Sequence, residues 1–368
     1  MRYTREDGCR AWLSYGEIQP VPMAQLLEDF GSAEAAYDAF VKKGPQAFKA
    51  YATDGQLKFL SEKTTRDAMH EMMLVMQRLE MGILTPEDEA YPEALRNIPD
   101  PPFQLFYRGD PACLRGRCVT VVGSRNASRT GEEATYRIDR ELSENGVCIV
   151  SGLAVGIDSA SLRGGLDGGT PVAGILGCGL DVDYPASNGR LKERILEGGG
   201  VLMSEYPPGV QPLRHHFPIR NRIMSGLSSA VLMMESSLRS GSLITVQHAL
   251  DQGREVYAYP GEPGTAWAEG AHRLLREGAN YFASAQDVLE DMGWLPEAPA
   301  TQPEKKESTQ RLTSSQQKLY ELLKRGEMSY DELAAASGLD PSSLSGALTM
   351  LQLMGFIIAL PGKVYKTA

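Results

Sequence analysis

The chain has 368 residues, of which 42% are hydrophobic and 23% charged, as in an ordinary globular protein with room for two or three domains. Its formal net charge of −10 argues against a protein that coats DNA through overall charge, so contact with nucleic acid would require a local basic patch. No apolar run approaches the roughly 20 residues of a membrane span, and the charged N-terminus is unlike a secretory signal. These features predict a cytoplasmic protein without a membrane span.

The N-terminal region, residues 1–82, is predicted to form a small helical domain. The segments AEAAYDAFVKK and TRDAMHEMMLVMQRLEMG place apolar residues at three- and four-residue spacing, and Gly and Pro separate such segments. The basic residues of this region do not form a stripe, which favours a packing or regulatory role.

From Arg117 onward, strand and helix patterns alternate. Six short apolar runs are separated by amphipathic segments: RCVTVVG, GVCIVSG, TPVAGILG, GVLMSEY, SAVLMMES and EVYAYPG. This alternation predicts an α/β fold for residues 83–293, a Rossmann-like parallel sheet with helices on both faces. Ligands of such sheets bind at the carboxyl ends of the strands, so the loops there are the candidate site.

The first of these loops, VVGSRNASRTG, is a candidate phosphate site. Gly123 permits close backbone approach, Ser124 supplies a hydroxyl, and Arg125 adds a fixed positive charge. The loop is not G-x-G-x-x-G, and no acidic residue closes the second strand, so neither a dinucleotide nor any other cofactor is predicted. A plain tight turn is the alternative interpretation.

The second loop, SGLAVGIDSAS, repeats this pattern in weaker form. Ser151 could contact phosphate, and Gly152 permits close backbone approach. Asp158 is predicted to cap the helix that follows.

The third loop, PLRHHFPIRNRIMSGLS, is the basic patch of the chain. Residues 206–234 contain no carboxylate but include Arg214, Arg220 and Arg222, with Phe217 among them. Cations that follow phosphates and a ring that stacks on a base are what single-stranded nucleic acid requires. The alternative is that Phe217 is a core residue and the arginines bind carbonyls at the sheet edge.

The remaining features of the sequence receive weaker or negative assignments. Residues 240–242 open a helix and could cradle an anion or only cap that helix: Ser240, Gly241 and Ser242. A metal site at His215 and His216 is not predicted, because no acidic residue or cysteine lies near them in the sequence.

The five scattered cysteines lack C-x-x-C spacing and are expected to be structural thiols. Known catalytic motifs such as H-E-x-x-H, G-x-S-x-G and Walker A are absent from the sequence, so no catalytic residue is predicted.

The C-terminal region is predicted to be a linker, residues 294–312, followed by a winged-helix domain, residues 313–368. Three helical segments precede a hairpin around Pro361 and Gly362. The would-be recognition helix, PSSLSGALTMLQLMG, contains no Arg or Lys, and five basic residues balance five acidic ones from Ser314 to the end. Duplex binding needs several cations, so a protein-contact or regulatory role is predicted instead.

Eight motifs of this chain resemble, in order and spacing, the core of the DNA-processing protein A family, also called Smf: VVGSR, SGLAVGID, GLDVDYP, SEYPPG, HFPIRNRIMSGL, ESSLRSGSLIT, GREVYAYPG and REGAN. The terminal regions are similar to the family's sterile-alpha-motif-like and winged-helix domains. The resemblance implies a non-enzymatic homodimer that binds and protects incoming single-stranded DNA during natural transformation and loads the RecA recombinase onto it.

The resemblance also assigns DNA contacts to residues of the first and third loops: Arg125, Arg214, Phe217, Arg220, Asn221 and Arg222. Arg125 and Arg214 are expected to contact phosphates, Phe217 a base, and the other three to line the same pocket. The rival hypothesis is an enzyme of the lysine-decarboxylase-like group that binds or hydrolyses nucleotide-derived small molecules. That group resembles P-G-G-x-G-T-x-x-E, whereas SLRSGSLIT lacks the catalytic glutamate. A third possibility is a scaffold whose basic loops bind acidic proteins.

Overall fold

The computed structural model describes residues 3–295, 312–353, 356–360 and 362–367. The chain divides into two compact units, Met1–Leu295 and Pro296–Ala368, and each is described by itself. Most of the predicted linker lies outside the described residues. None of the helices in the described ranges combines the length and apolar character that crossing a bilayer requires.

The first unit begins with five helices: α1 (Arg5–Ser14), α2 (Pro20–Phe30), α3 (Ala33–Lys43), α4 (Asp54–Glu62) and α5 (Arg66–Arg78). Thr4 and Thr53 open α1 and α4 with capping boxes that satisfy the first backbone N–H groups. The centre of this bundle is Trp12, whose ring lies 5.0 Å from that of Tyr37 and 5.1 Å from that of Phe40. These edge-on aromatic contacts explain why so short a helical region has a defined core.

A nine-stranded sheet follows, with the strands β1 (Gly82–Leu84), β2 (Leu105–Gly109), β3 (Cys118–Val122), β4 (Cys148–Ser151), β5 (Ala173–Ile175), β6 (Val201–Ser204), β7 (Ala230–Met233), β8 (Glu255–Ala258) and β9 (Asn280–Tyr281). Its order is β1-β2-β6-β5-β4-β3-β7-β8-β9. The six predicted strands are β3 to β8, and they run parallel. The α/β prediction is therefore confirmed, while the antiparallel strands β1 and β2 at one edge were not predicted.

The helices of the sheet region are α6 (Glu93–Arg96), α7 (Arg129–Glu144), α8 (Ile157–Gly168), α9 (Gly189–Glu197), α10 (His216–Gly226), α11 (Ser242–Asp251), α12 (Glu269–Arg276) and α13 (Ala285–Asp291). Apolar clusters lie on both faces of the sheet, and strands β3, β4, β6 and β7 are buried along their whole length. This two-sided burial is the reason that those strands appear as continuous apolar runs in the sequence.

The strand order reverses direction at β3. From β3 the chain steps through β4 and β5 to β6 on one side, and it then returns to place β7 on the other side of β3. Loops that leave the carboxyl ends of β3 and β7 therefore diverge and leave a crevice between them.

The helical region and the sheet region pack against each other. The Tyr15 hydroxyl donates to the Pro208 carbonyl at 2.7 Å, and the Gln104 side-chain amide donates to the Ser14 hydroxyl at 2.7 Å. One hydrophobic cluster also extends through both regions. The boundary after residue 82 stays a prediction about sequence organisation, since both sides of it lie in one compact unit.

The second unit contains α14 (Ser314–Leu323), β10 (Met328–Ser329), α15 (Tyr330–Ser337), α16 (Pro341–Leu353), β11 (Ile357–Leu360) and β12 (Val364–Thr367). Its sheet has the order β10-β12-β11, and leucines of all three helices form its core. Three helices and an antiparallel β11–β12 pair agree with the predicted winged helix. Of the two predicted turn residues, Pro361 lies outside the described residues, and Gly362 has a φ of 85°.

Candidate nucleic-acid interface

A cleft of about 710 Å³ opens at the carboxyl edge of the sheet, between the loops after β3 and β7 and the start of α10. We call it the sheet-edge cleft. Its lining includes ten of the predicted DNA-contact residues: Gly123, Ser124, Arg125, Arg214, Phe217, Arg220, Asn221, Ser240, Gly241 and Ser242. The fold thus brings together three loops that are far apart in the sequence.

The loop after β3 is held rigidly enough to present Arg125. A Cβ on Gly123 would lie 2.6 Å from a side-chain carbon of Ile157, so only glycine fits beside the first residue of α8. The Ser124 backbone N–H donates to the Glu235 carbonyl at 2.7 Å, which ties this loop to the end of β7. Arg125, the next residue, is exposed.

Phe217 forms an aromatic platform in one wall of the cleft. Its ring is half-buried, and its centroid lies 5.1 Å from the Arg125 guanidinium and 6.0 Å from that of Arg220. The Tyr184 ring is 5.6 Å away. Cations within about 6 Å of a ring face are attracted to it, so the ring and the two arginines form one unit.

Arg220 is a buried cation at the floor of the cleft, with 4% of its surface exposed. It donates to the Ile175 carbonyl, as the alternative interpretation of the sequence expected, and its Nε has no hydrogen-bond partner among the described residues. Burial lowers its pKa to about 10 while Asp158 opposes the shift, so the side chain stays charged at neutral pH. A Cβ on Gly152 would lie 2.3 Å from the guanidinium, so any side chain at this position would displace Arg220.

Ser151 and Gly152 were expected to face phosphate, but neither lines the cleft. Ser151 is fully buried, and its hydroxyl donates to the Val121 carbonyl at 2.8 Å. Ser151 is the last residue of β4 and binds the neighbouring strand β3 through this hydrogen bond. Gly152 follows it and lies against the Arg220 guanidinium.

The sequence suggested that Asp158 caps α8, but the structure shows that it does not. The N-cap residue is Gly156, with a φ of 77° and no side-chain cap. The Asp158 carboxylate instead accepts the Ala154 backbone N–H at 3.3 Å and lines the cleft. Burial raises the pKa of Asp158, and the nearby Arg220 charge opposes that rise. Sequence reasoning thus missed an acidic group in a basic cleft.

The serines after β7 begin α11 and line the cleft at the same time. The Ser242 backbone N–H donates to the Ser240 hydroxyl at 3.3 Å, and the two hydroxyls lie 2.6 Å apart. Gly241 is the N-cap residue and supplies no side chain. The Ser240 hydroxyl thus accepts one N–H at the start of α11, although the N-cap residue makes no side-chain cap hydrogen bond. The position of these residues in the cleft makes anion contact a role to test.

Arg125 and Arg214 are the cations of the cleft that are available to a ligand. Both are exposed, and neither forms an ion pair within residues 3–295. They lie on two different loops and line the same cleft.

Arg222 does not line the sheet-edge cleft, contrary to expectation. It is buried, with Nη2 2.5 Å from Glu205 and Nε 3.3 Å from Asp100. Residues two positions apart on an α-helix point about 200° apart around its axis, so Arg222 faces away from Arg220. It lines a second cleft, of about 660 Å³, between α10 and the N-terminal helices.

The two histidines at the start of α10 also differ from expectation, because an acidic residue does lie beside them. His215 Nε2 is 3.3 Å from one carboxylate oxygen of Glu17, and His216 Nε2 is 3.2 Å from the other. Burial alone would raise the pKa of Glu17, but the hydrogen bonds from the two histidines outweigh it and lower the pKa. Glu17 precedes the histidines by almost 200 residues, so no local motif could reveal this contact.

Comparison with known proteins gives two family matches. The model of the DNA recombination-mediator protein A family matches residues 82–293, and that of the DprA winged helix domain matches residues 302–363. DNA processing protein DprA of Streptococcus pneumoniae is 45% identical over 202 residues, which cover 55% of this chain and 71% of that protein. A putative DNA processing protein DprA of Mycobacterium tuberculosis is 32% identical over 372 residues. That alignment covers 96% of this chain and 93% of the mycobacterial protein.

Two solved structures are similar to a large part of the chain. DNA processing protein A from Streptococcus pneumoniae superposes with a TM-score of 0.66 and 33% identity, over 79% of this chain and 99% of that one. DNA processing protein A from Helicobacter pylori, described for its single-stranded DNA binding mode, superposes with a TM-score of 0.53 and 27% identity, over 58% and 96% of the two chains.

Proposed function

Because the chain belongs to the DNA-processing protein A (Smf) family, we propose that it binds single-stranded DNA in the sheet-edge cleft. The observation that carries this proposal is the Phe217 ring beside the Arg125 guanidinium, with Arg214 on the same cleft and no ion pair on either arginine in residues 3–295. An aromatic platform flanked by unpaired cations suits a flexible polynucleotide whose bases are free to stack.

Each side chain has a distinct role in this proposal. Arg125 and Arg214 bind phosphates, and Phe217 stacks on a base. Arg220 holds a fixed positive charge at the floor. Asn221 and the serines after β7 supply neutral polar contacts. Since phosphates and ring faces are common to all nucleotides, binding should be insensitive to sequence and strongly weakened by salt.

We infer that the chain acts by binding rather than by catalysis. The lining of the cleft offers cations, hydroxyls and a ring, and its carboxylate, Asp158, already accepts a backbone N–H beside Arg220. Incubation with nucleoside monophosphates followed by product analysis tests this inference. Release of a free base or of phosphate would favour the enzyme hypothesis.

The remaining parts of the proposal rest on the resemblance to the family. The protein would act as a cytoplasmic homodimer that protects incoming DNA in natural transformation and loads RecA onto it. The family description as a DNA recombination mediator supports a role in handing DNA to a recombinase. The rate of RecA filament formation on a single strand, with and without this protein, tests the loading step.

Binding to oligonucleotides of increasing length tests the main proposal. Fluorescence anisotropy with labelled oligothymidylates should show affinity that rises with length, because longer strands reach more of the basic loops. An acidic peptide of matched charge serves as the control. Equal competition by that peptide, or affinity independent of oligonucleotide length, would favour a protein scaffold instead.

A further inference from the structure

A cluster of metal-ligand side chains lies outside the proposed DNA contacts, where the N-terminal helices meet the start of α10. Glu17 follows α1, His215 precedes α10, and His216 is its first residue. One ligand atom from each of the three residues lies within 4.8 Å of the others. The two carboxylate oxygens face one imidazole each, at 3.3 and 3.2 Å.

Both ring nitrogens of His216 face hydrogen-bond acceptors, a geometry that a cation satisfies, either as a second proton on the ring or as a metal ion at Nε2. Its side chain is fully buried, with Nδ1 3.1 Å from the Gly177 carbonyl and Nε2 3.2 Å from the Glu17 carboxylate. Both partners are acceptors, and a neutral imidazole has only one N–H. The Nδ1–H bond to a backbone carbonyl is the usual way in which a protein orients a metal-bound histidine, and it leaves the Nε2 lone pair facing Glu17.

The backbone of Glu17 provides an independent observation. Its φ is 45°, in the left-handed region that favours glycine, although Glu17 carries a full side chain. The Gln56 side-chain amide donates to the Glu17 carbonyl at 2.7 Å and holds this turn in place. A strained conformation that neighbours maintain is typical of a functional position, and here it directs a carboxylate at two imidazoles.

From this geometry we propose that Glu17, His215 and His216 bind a divalent transition-metal ion, with Zn²⁺ the best match. Two imidazoles and one carboxylate form a known zinc ligand set, and bonds of about 2.0–2.1 Å in a tetrahedron place ligand atoms about 3.3 Å apart. Glu17 and His215 also line the 660 Å³ cleft, so water can reach a fourth coordination position.

The ion would fix the segment that carries two of the proposed DNA contacts. Arg214 is the neighbour of His215, and Phe217 is the neighbour of His216. Coordination would tether this segment to the turn after α1, and so it would order one wall of the sheet-edge cleft. The metal site itself does not depend on the proposed function, but this effect on DNA does.

Titration of the metal-stripped full-length chain with Co²⁺ tests the site, because tetrahedral Co²⁺ gives visible absorption bands. We expect one equivalent to bind and Zn²⁺ to displace it. His215→Ala and Glu17→Gln should abolish the bands, and His215 is 59% exposed, so its replacement should not disturb folding. His70→Ala, which removes an exposed histidine of α5, is the matched control and should bind as the wild type does.

Thermal unfolding gives a second readout. Zn²⁺ should raise the Tm of the wild type and of His70→Ala but not that of Glu17→Gln, since a ligand stabilises only the state that binds it. Wild-type protein that takes up no Co²⁺, or a spectrum unchanged in His215→Ala, would overturn the site. Metal binding that persists without any DNA binding would contradict the proposed function and leave the metal site standing.

Discussion

The two units of this protein both have folds that bind DNA in other proteins, but they differ in where their cations lie. In the sheet-edge cleft, Arg125 and Arg214 are exposed and form no ion pair within residues 3–295. In the winged-helix unit, Lys318 donates to a backbone carbonyl at 2.8 Å, Lys324 pairs with a glutamate at 2.7 Å, and Lys366 lies 3.8 Å from another. Arg325 and Lys363 are exposed and form no ion pair within the described residues of this unit, but neither lies on α16.

The difference teaches that the placement of the cations, and not the fold, decides where a polyanion can bind. The helix α16, at the position of a recognition helix, has no acidic residue in its first turn and no basic residue in its last, and its sequence contains no Arg or Lys. The winged helix is therefore a better candidate for contact with a protein than with a duplex, which stays a hypothesis. An electrophoretic shift of residues 308–368 on duplex DNA at low salt would defeat it.

The largest expected effect comes from removing both available cations. Arg125→Ala combined with Arg214→Ala should weaken single-strand binding about 100-fold or more, since each hydrogen bond to a charged group contributes about 1.5–3 kcal/mol. The Tm should change little, because both side chains are exposed. Anisotropy at fixed salt measures the change, and Arg140→Ala, an exposed arginine paired with Glu144, is the control. Unchanged affinity in the double variant would exclude both residues from the site.

Loss of the aromatic platform should have the next largest effect. Phe217→Ala should lower affinity about 10-fold, within the 1–3 kcal/mol that stacking of one base contributes. Phe217→Trp should retain most of the affinity, because it keeps a ring face. Equal loss in both variants would indicate that Phe217 serves packing against Tyr184 rather than stacking.

A smaller effect, of opposite sign, is expected from the carboxylate in the cleft. Asp158→Asn should strengthen binding by about 2- to 5-fold at neutral pH, since it removes a charge that repels phosphate and is only partly screened. Burial raises the pKa of Asp158, so wild-type binding should strengthen as the pH falls toward that pKa, and the variant should lose this dependence. Asp251→Asn, at the exposed end of α11, is the control. A pH profile shared by both variants would contradict the assignment.

The smallest effect is expected from the winged helix. Removal of residues 308–368 should change single-strand affinity less than about twofold, because that unit lacks the several phosphate contacts that binding requires. The described residues of the second unit form their own core, so the first unit should remain folded. A loss of 10-fold or more, by the same anisotropy assay, would show that the comparison between the two units is wrong.

Much of the fold could be predicted from the sequence because the spacing of apolar residues along the chain reflects which side chains are buried. The strands β3 to β8 are buried on both faces, and each appears as an apolar run. Parallel strands bring their carboxyl ends to one edge, so the convergence of Arg125, Arg214 and Phe217 could also be predicted. The antiparallel strands β1 and β2 could not, since LFYRG and GIL are only partly buried.

The rest depends on partners that are distant in the sequence. Arg222 belongs to the same motif as Arg220, but its direction is set by Glu205 and Asp100. The contact of Glu17 with the two histidines joins regions almost 200 residues apart. Local patterns state which groups are present, whereas packing decides which of them face a ligand.

A salt titration of binding to single-stranded and double-stranded oligonucleotides tests the central claim most directly. For the wild type, the logarithm of the association constant should fall linearly with that of the salt concentration, with tighter binding to the single strand. Each arginine removed should reduce the slope by about 0.7, the value for one phosphate contact on a single strand. Three results would contradict the account: an affinity that does not change with salt concentration, tighter binding to the duplex than to the single strand, or a salt dependence in the double arginine variant with the same slope as in the wild type.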